Sequence, residues 1–384
     1  MMTMIRTNNH GKSEMKYLVL LTWMFFTINL EAKVRPPGSV SEPHHIVVDS
    51  KDNVFVTLKY GMLKIAPDGT VTDLSKQGPV IGGMDRTWQD LIIDSKDNLY
   101  AHDGNVIYKI TVSVDNKAVI NRFAGQLYSY KLEDGPIATA GFNAIGLMTI
   151  DKNDNIYLTD SYDKIKATIG DNFVTDGYYK SDPAKKYLKY GAHYSVIRKI
   201  SPNGVVSTLK TPDRKYILPN DISGITTDDR GNIVYAAYGF ARFIGKIDLT
   251  TGLISSIAGQ PYKREWCPVY TQGENSKAEF VSPETIITSK KGEIVFTDQR
   301  LHRVIKVANG NVSTLAGNNI IDPCSQNIGG RAQEGYKDGK ALSALFNFPK
   351  GIAYDSKGNL FIADMSNHRI RKLSPDGMVT TFAR

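Results

Sequence analysis

From residue 43 onward, runs of four to six mostly β-branched or aromatic residues recur along the chain, each closed by Asp, Asn, Gly or Pro. "HIVVDSKDNVFVTL", His45 to Leu58, holds two such runs around the turn "DSKDN". Short apolar runs bounded by turn residues predict strands, and breaks of two to four residues between them predict hairpins. No window of useful length places its apolar residues at the three-to-four spacing of an amphipathic helix.

The same unit returns six times. It starts at His45, Asp90, Leu147, Gly224 and Thr285, and in its fullest form at Gly351 as "GIAYDSKGNLFIADMSNHRIRKLSPDGMVTTFA". Each unit supplies four strands, and an isolated four-stranded unit cannot cover its own apolar faces. Six stacked around a channel can, so the pattern predicts an all-β, six-bladed β-propeller with four antiparallel strands per blade. The first unit begins with an inner strand and the last ends with an outer one, so no blade is predicted to be shared between the two ends of the chain.

The wording of the last unit resembles the NHL repeat family of six-bladed propellers. The likeness rests on Ala316–Gly317, Asp338–Gly339, Ala344, Phe346, Pro349 and the stretch Gly351 to Lys372, and extends in weaker form over residues 43–384. In the first and fourth units, Leu58 and Ala237 replace the Asp of "IAD".

Ahead of the repeats, Arg6, Lys12 and Lys16 precede an apolar stretch, Tyr17 to Phe26, and a polar close ending at Ala32. That layout predicts a signal peptide over residues 1–32, cleaved near Ala32, a lead-in over 33–42 and a secreted or periplasmic product. The apolar stretch falls short of the roughly 20 residues a bilayer-spanning helix needs. The net charge of +8, or +7 without residues 1–32, is spread without blocks of like sign. With export, this argues against a nucleic-acid partner.

An oxidising destination makes the two cysteines a disulfide pair. Cys267 follows Gly259 by eight residues and Cys324 follows Gly317 by seven. Those are equivalent places in adjacent inter-blade loops, so a Cys267–Cys324 bridge is expected.

Loop lengths single out one face. Turns between the first and second strands of each unit are minimal, whereas Gly125 to Ile145, Gly259 to Ser282 and Gly317 to Phe348 join successive units on the opposite face. Blade three adds an insertion there, residues 161–195, in which Tyr178, Tyr179, Tyr187 and Tyr190 accompany Lys185 and Lys186. Tyrosine offers a large amphipathic contact surface and lysine attracts acidic groups, so this face is the expected site for a glycan or protein ligand. A ring just ahead of the innermost strands, His44, Gln89, Gly146, Ser223, Glu284 and Lys350, marks the channel mouth, and within it His44, Glu284 and Lys350 are the expected ligand contacts. Glu284 and Lys350 are expected to form an ion pair between adjacent blades.

Two enzyme readings follow from related propellers. The peptidyl-hydroxyglycine lyases hold zinc with three repeated Pro-His motifs. Here only Pro43–His44–His45–Ile46 matches, while Gly146 and Glu284 stand at the other two places. Gluconolactonase-like propellers hold a divalent cation with carboxylate and amide oxygens. The resemblance then implies one calcium or zinc on Asp90, Asn220, Asp221 and Glu284, with His44 or His45 as an added ligand or base. That metal-dependent lactonase is the alternative to a binding module, for which no cofactor and no catalytic residue are expected. His302 and His368 are expected to be exposed turn residues. Asp364, Ser366 and His368 read as a blade corner, with Asp364 accepting hydrogen bonds from the turn that follows it.

Overall fold

The computed structural model describes residues 39–76, 88–127, 131–161, 173–174, 195–217, 219, 221–237, 242–259, 270–318, 321–322 and 331–384, all within the unit Pro37–Arg384. Six antiparallel sheets form six blades. Their inner strands are Pro43–Val48, Leu91–Ile93, Ile145–Ile150, Ile222–Thr227, Pro283–Thr288 and Pro349–Tyr354. Each inner strand packs against the next, and the sixth returns to the first, closing a ring around a channel.

The second strands Val54–Leu58, Ile233–Ala237, Ile294–Asp298 and Leu360–Asp364 are buried along their whole length. Each lies mid-blade with a neighbouring blade on both faces, which is why they read as continuous apolar runs rather than alternating ones. Six clusters of buried side chains fill the molecule, one at each blade junction.

Blades three, five and six have a fifth, outermost strand of two residues, Gly135–Pro136, Gly273–Glu274 and Gly339–Lys340. These come from the "DG" or "QG" part of the preceding inter-blade loop and cover part of the edge of the fourth strand. The four antiparallel strands expected of each blade are present in all six, and among the described residues three blades add this short fifth one.

Closure needs no shared blade. Val40, Ile46 and Val56 from the start of the ring share one core with Phe361, Ala363 and Ile370 from its end. A Cβ on Gly351 would lie 2.3 Å from the His44 carbonyl oxygen, and one on Gly224 2.1 Å from that of Glu284, so no side chain fits at either junction. His368, exposed as expected, accepts the Glu42 N–H through Nδ1 at 3.1 Å. His302 does the same for Phe348 at 3.0 Å, but it is 3% exposed, which corrects the expectation of a surface turn.

On the short-turn face the turns clasp one another. Ser356, Ser50 and Ser95 each give an N–H and a hydroxyl to Asp52, Asp97 and Asp154 of the next blade, at 2.6–2.9 Å. Those three aspartates have φ near +60°, where Gly231, Gly292 and Gly358 stand in the other blades. A non-glycine residue there costs about 1 kcal/mol or more. The carboxylate's bond across the blade junction offsets that cost.

Candidate functional site

In five blades the inner strand does not pair regularly with its neighbour at its start. The register slips between Pro43 and Ile46, Ile145 and Met148, Ile222 and Gly224, Pro283 and Ile286, and Pro349 and Ile352. These are β-bulges, which re-aim side chains at the rims of closed sheets. The residues they displace are His44–His45, Gly146–Leu147, Ser223, Glu284–Thr285 and Lys350–Gly351. The mouth ring thus lies on the first residues of the strands and not ahead of them. In blade two, Gln89 and Asp90 do precede the strand at Leu91.

The bulges are held from behind. Thr57 and Thr159 on the second strands accept the N–H groups of His45 and Leu147 at 3.0 and 2.8 Å. Thr297 donates to the Lys350 carbonyl at 3.0 Å, Ser223 to that of Pro283 at 2.6 Å, and the His102 ring to that of Gly146 at 2.7 Å. His102 is fully buried, and burial pushes it down to about 4, so it stands neutral. Thr297, Ser223 and His102 find their partners in the next blade, which no pattern within one unit records.

His45 and Asp90 form a buried pair across blades one and two, with Nδ1 3.1 Å from the carboxylate. Asp90 also accepts the N–H of Leu91 at 2.7 Å and of Met148 at 2.6 Å. Burial raises its pKa, yet His45 and the Met148 N–H outweigh it and hold the carboxyl below its ordinary value. Nδ1 of His45 faces Asp90, which leaves Nε2 without a hydrogen-bond partner among the described residues. Asp90's oxygens are thereby committed, which makes them poor cation ligands. Below this pair, inner-strand residues including Ile46, Leu91, Met148, Ile225, Ile286 and Ile352 line a cavity of about 380 Å³.

Around the rest of the rim, His44, Glu284 and Lys350 lie on the bulges of blades one, five and six. None of the three makes a side-chain hydrogen bond or ion pair with another described residue, so the expected Glu284–Lys350 pair does not form. Each bulge aims its own side chain, and adjacency along the ring does not bring the charges into contact. Burial, opposed by Lys350, pushes Glu284 up to about 7. Burial, then the charges of Lys350, His45 and Lys59, push His44 down to about 4. Titratable groups that are perturbed and unpartnered at a cleft mark a functional-site candidate. Of the other expected residues, Asp221 precedes the inner strand of blade four with φ +47°. Asn220, Tyr178, Tyr179, Lys185, Lys186, Tyr187, Tyr190, Cys267 and Cys324 lie outside the described residues.

The "IAD" aspartates serve the blades. Asp364 accepts the Asn347 N–H at 2.7 Å, ahead of its own inner strand, and Arg371 at 2.8 Å; from the following turn only the Asn367 side chain reaches it. Asp298 caps Val281 and Ser282, and Asp160 caps Asn143 and Ala144. Asp364 therefore belongs to the frame and not to a charge relay.

The fold is a six-bladed β-propeller, and residues 346–373, reaching into its last blade, match the NHL repeat family model. Over 189 residues, 48% of this chain, it is 26% identical to the protein SUPPRESSOR OF QUENCHING 1, chloroplastic, of Arabidopsis thaliana, spanning 17% of that protein's length. Among solved structures, a Bacteroides thetaiotaomicron protein of unknown function is similar with TM-score 0.58 and 16% identity, over 87% of this chain and 69% of that one. An auxiliary nutrient binding protein of the same species gives 0.56 and 15% over 89% and 70%, and one of Bacteroides ovatus 0.54 and 16% over 90% and 70%. At such identities the likeness shows the fold alone. Among the described residues no helix is long and apolar enough to cross a membrane.

Proposed function

We propose that this chain is an exported binding module that takes a glycan at the long-loop face, over the channel mouth. The observation that carries the reading is the set His44, Glu284 and Lys350, presented on bulges of three adjacent blades with no side-chain hydrogen bond or ion pair among the described residues, above a cavity. Polar groups held ready and left unsatisfied are what a hydroxyl-rich ligand completes. Across the mouth, Leu147 and Ser223 line the cavity. Leu147 would offer an apolar surface for the C–H face of a sugar ring. The tyrosine-rich insertion leaves the second strand at Ser161 and re-enters at Ser195, and its tyrosines are proposed as stacking surface. Two propellers of similar fold are called auxiliary nutrient binding proteins, which accords with a capture role outside the cytoplasm.

A saccharide screen on the purified chain tests this. Binding is expected to weaken at least about tenfold in a His44→Ala/Lys350→Ala double variant and on deletion of residues 165–192, since a charge-assisted hydrogen bond contributes about 1.5–3 kcal/mol. A ligand whose affinity is indifferent to both changes would place the site elsewhere.

A further inference from the structure

We propose that the saccharide carries a carboxylate and that the Lys350 ammonium is its charge partner, an inference that rests on the glycan reading above. The charges around the mouth do not balance. Asp298 spends its oxygens on Val281 and Ser282, and Asp90 on His45, Leu91 and Met148. Lys59 is paired with Glu42 at 3.3 Å. Lys350 from blade six and Arg300 from the exposed turn of blade five remain, and neither makes an ion pair among the described residues. Among the described residues Glu284 also lies near Lys350 without a side-chain hydrogen bond or ion pair, and burial holds back part of its charge. The Lys350 ammonium is thereby left as a positive charge at this part of the rim, where it also helps to keep the neighbouring His44 neutral.

The chemistry of the rim favours a carboxylate over a phosphate. Phosphate sites gather several backbone N–H groups or a guanidinium fork. On the blade-one and blade-three side of the mouth, three amides are already used: His45 on Thr57, Leu147 on Thr159 and Met148 on Asp90. A single lysine, a compact point charge, matches a singly charged group. Beside it, Nε2 of His45 and the neutral His44 ring offer contacts for the hydroxyls of the same sugar.

The test is titration calorimetry on the full chain with a galacturonic-acid trisaccharide and its methyl ester, in which each carboxylate is replaced by a neutral group bearing one extra methyl. The acid form is expected to bind about tenfold tighter, the size of one charge-assisted hydrogen bond. Lys350→Met should erase that preference while leaving the thermal midpoint in place, and Lys350→Arg should keep it. Equal affinity for both forms, a preference that survives Lys350→Met, or binding confined to neutral sugars overturns the proposal while the glycan reading stands. A chain that binds no saccharide in the broader screen overturns both.

Discussion

Arg371→Leu is expected to lower the unfolding free energy by about 3–5 kcal/mol, the usual cost of leaving buried charges without their partner. The Arg371 side chain is fully buried and all five of its N–H donors are used. They go to Asp364, to Asp338 and to the carbonyls of Leu345 and Lys337, at 2.6–3.2 Å. Removing the guanidinium strands Asp364, which is itself wholly buried. It also frees the "DG" loop whose Asp338 holds Thr381 on the outermost part of the blade at 3.1 Å. Arg198 repeats the arrangement in blade three with Asp160, Asp134 and the Gly141 and Glu133 carbonyls. In blade five, Ile305 and Gln272 stand at the corresponding places and both charges are gone together. A double variant, Arg371→Ile with Asp338→Gln, copies blade five and is expected to lose less than the sum of its single changes. Denaturant unfolding of the four proteins measures the coupling, and strict additivity would show that the buried network is not a unit.

The second large effect is a pair of opposed pH dependences. His102 is buried neutral at about 4 against an ordinary 6.5. Its unfolded form takes a proton first, so its contribution is whole above 6.5 and is lost as pH falls toward 4, about 3 kcal/mol in all. Glu284, raised to about 7, behaves oppositely. Its contribution is whole below the ordinary carboxylate value and is lost as pH rises through 7, about 2–3 kcal/mol with allowance for its partial exposure. Wild type minus His102→Gln should therefore fall on acidification from 6.5 to 4, and wild type minus Glu284→Gln should rise from 7 to 4.5. Chemical unfolding across pH 4–8 reads both curves. Parallel slopes would contradict the assignment of either group.

Most of the frame was legible because its determinants are local. The "DSKDN" turn fixes a hairpin by itself: Asp49 accepts the N–H groups of Lys51 and Asn53, and the Asn53 side chain closes on the same carboxylate. Repetition then dictated the ring. The two-residue outer strands were not legible, since Gly135–Pro136 or Gly339–Lys340 carries no periodicity and pairs only because a neighbouring edge is free. His302 was misread for a related reason. What buries it is Phe348, whose ring lies 5.0 Å away and belongs to the next blade.

At the mouth, the residues were found but their relations were not. Pro43, Pro283 and Pro349 mark the strand starts, and the residues after them do form the rim. Whether a bulge points Glu284 at Lys350 or away from it depends on backbone displacements that no residue pattern records. Asp90 shows the same limit, since the three groups that occupy its carboxylate are His45, Leu91 and Met148, from three different blades.

The account stands on where a ligand sits, and hydrogen exchange with and without a bound saccharide measures that directly. The amides at the bulges, around residues 44–45, 284–285 and 350–351, are expected to gain protection together with the long loops of that face. Protection confined to the outer strands or to the clasped turns at Asp52, Asp97 and Asp154 would contradict it.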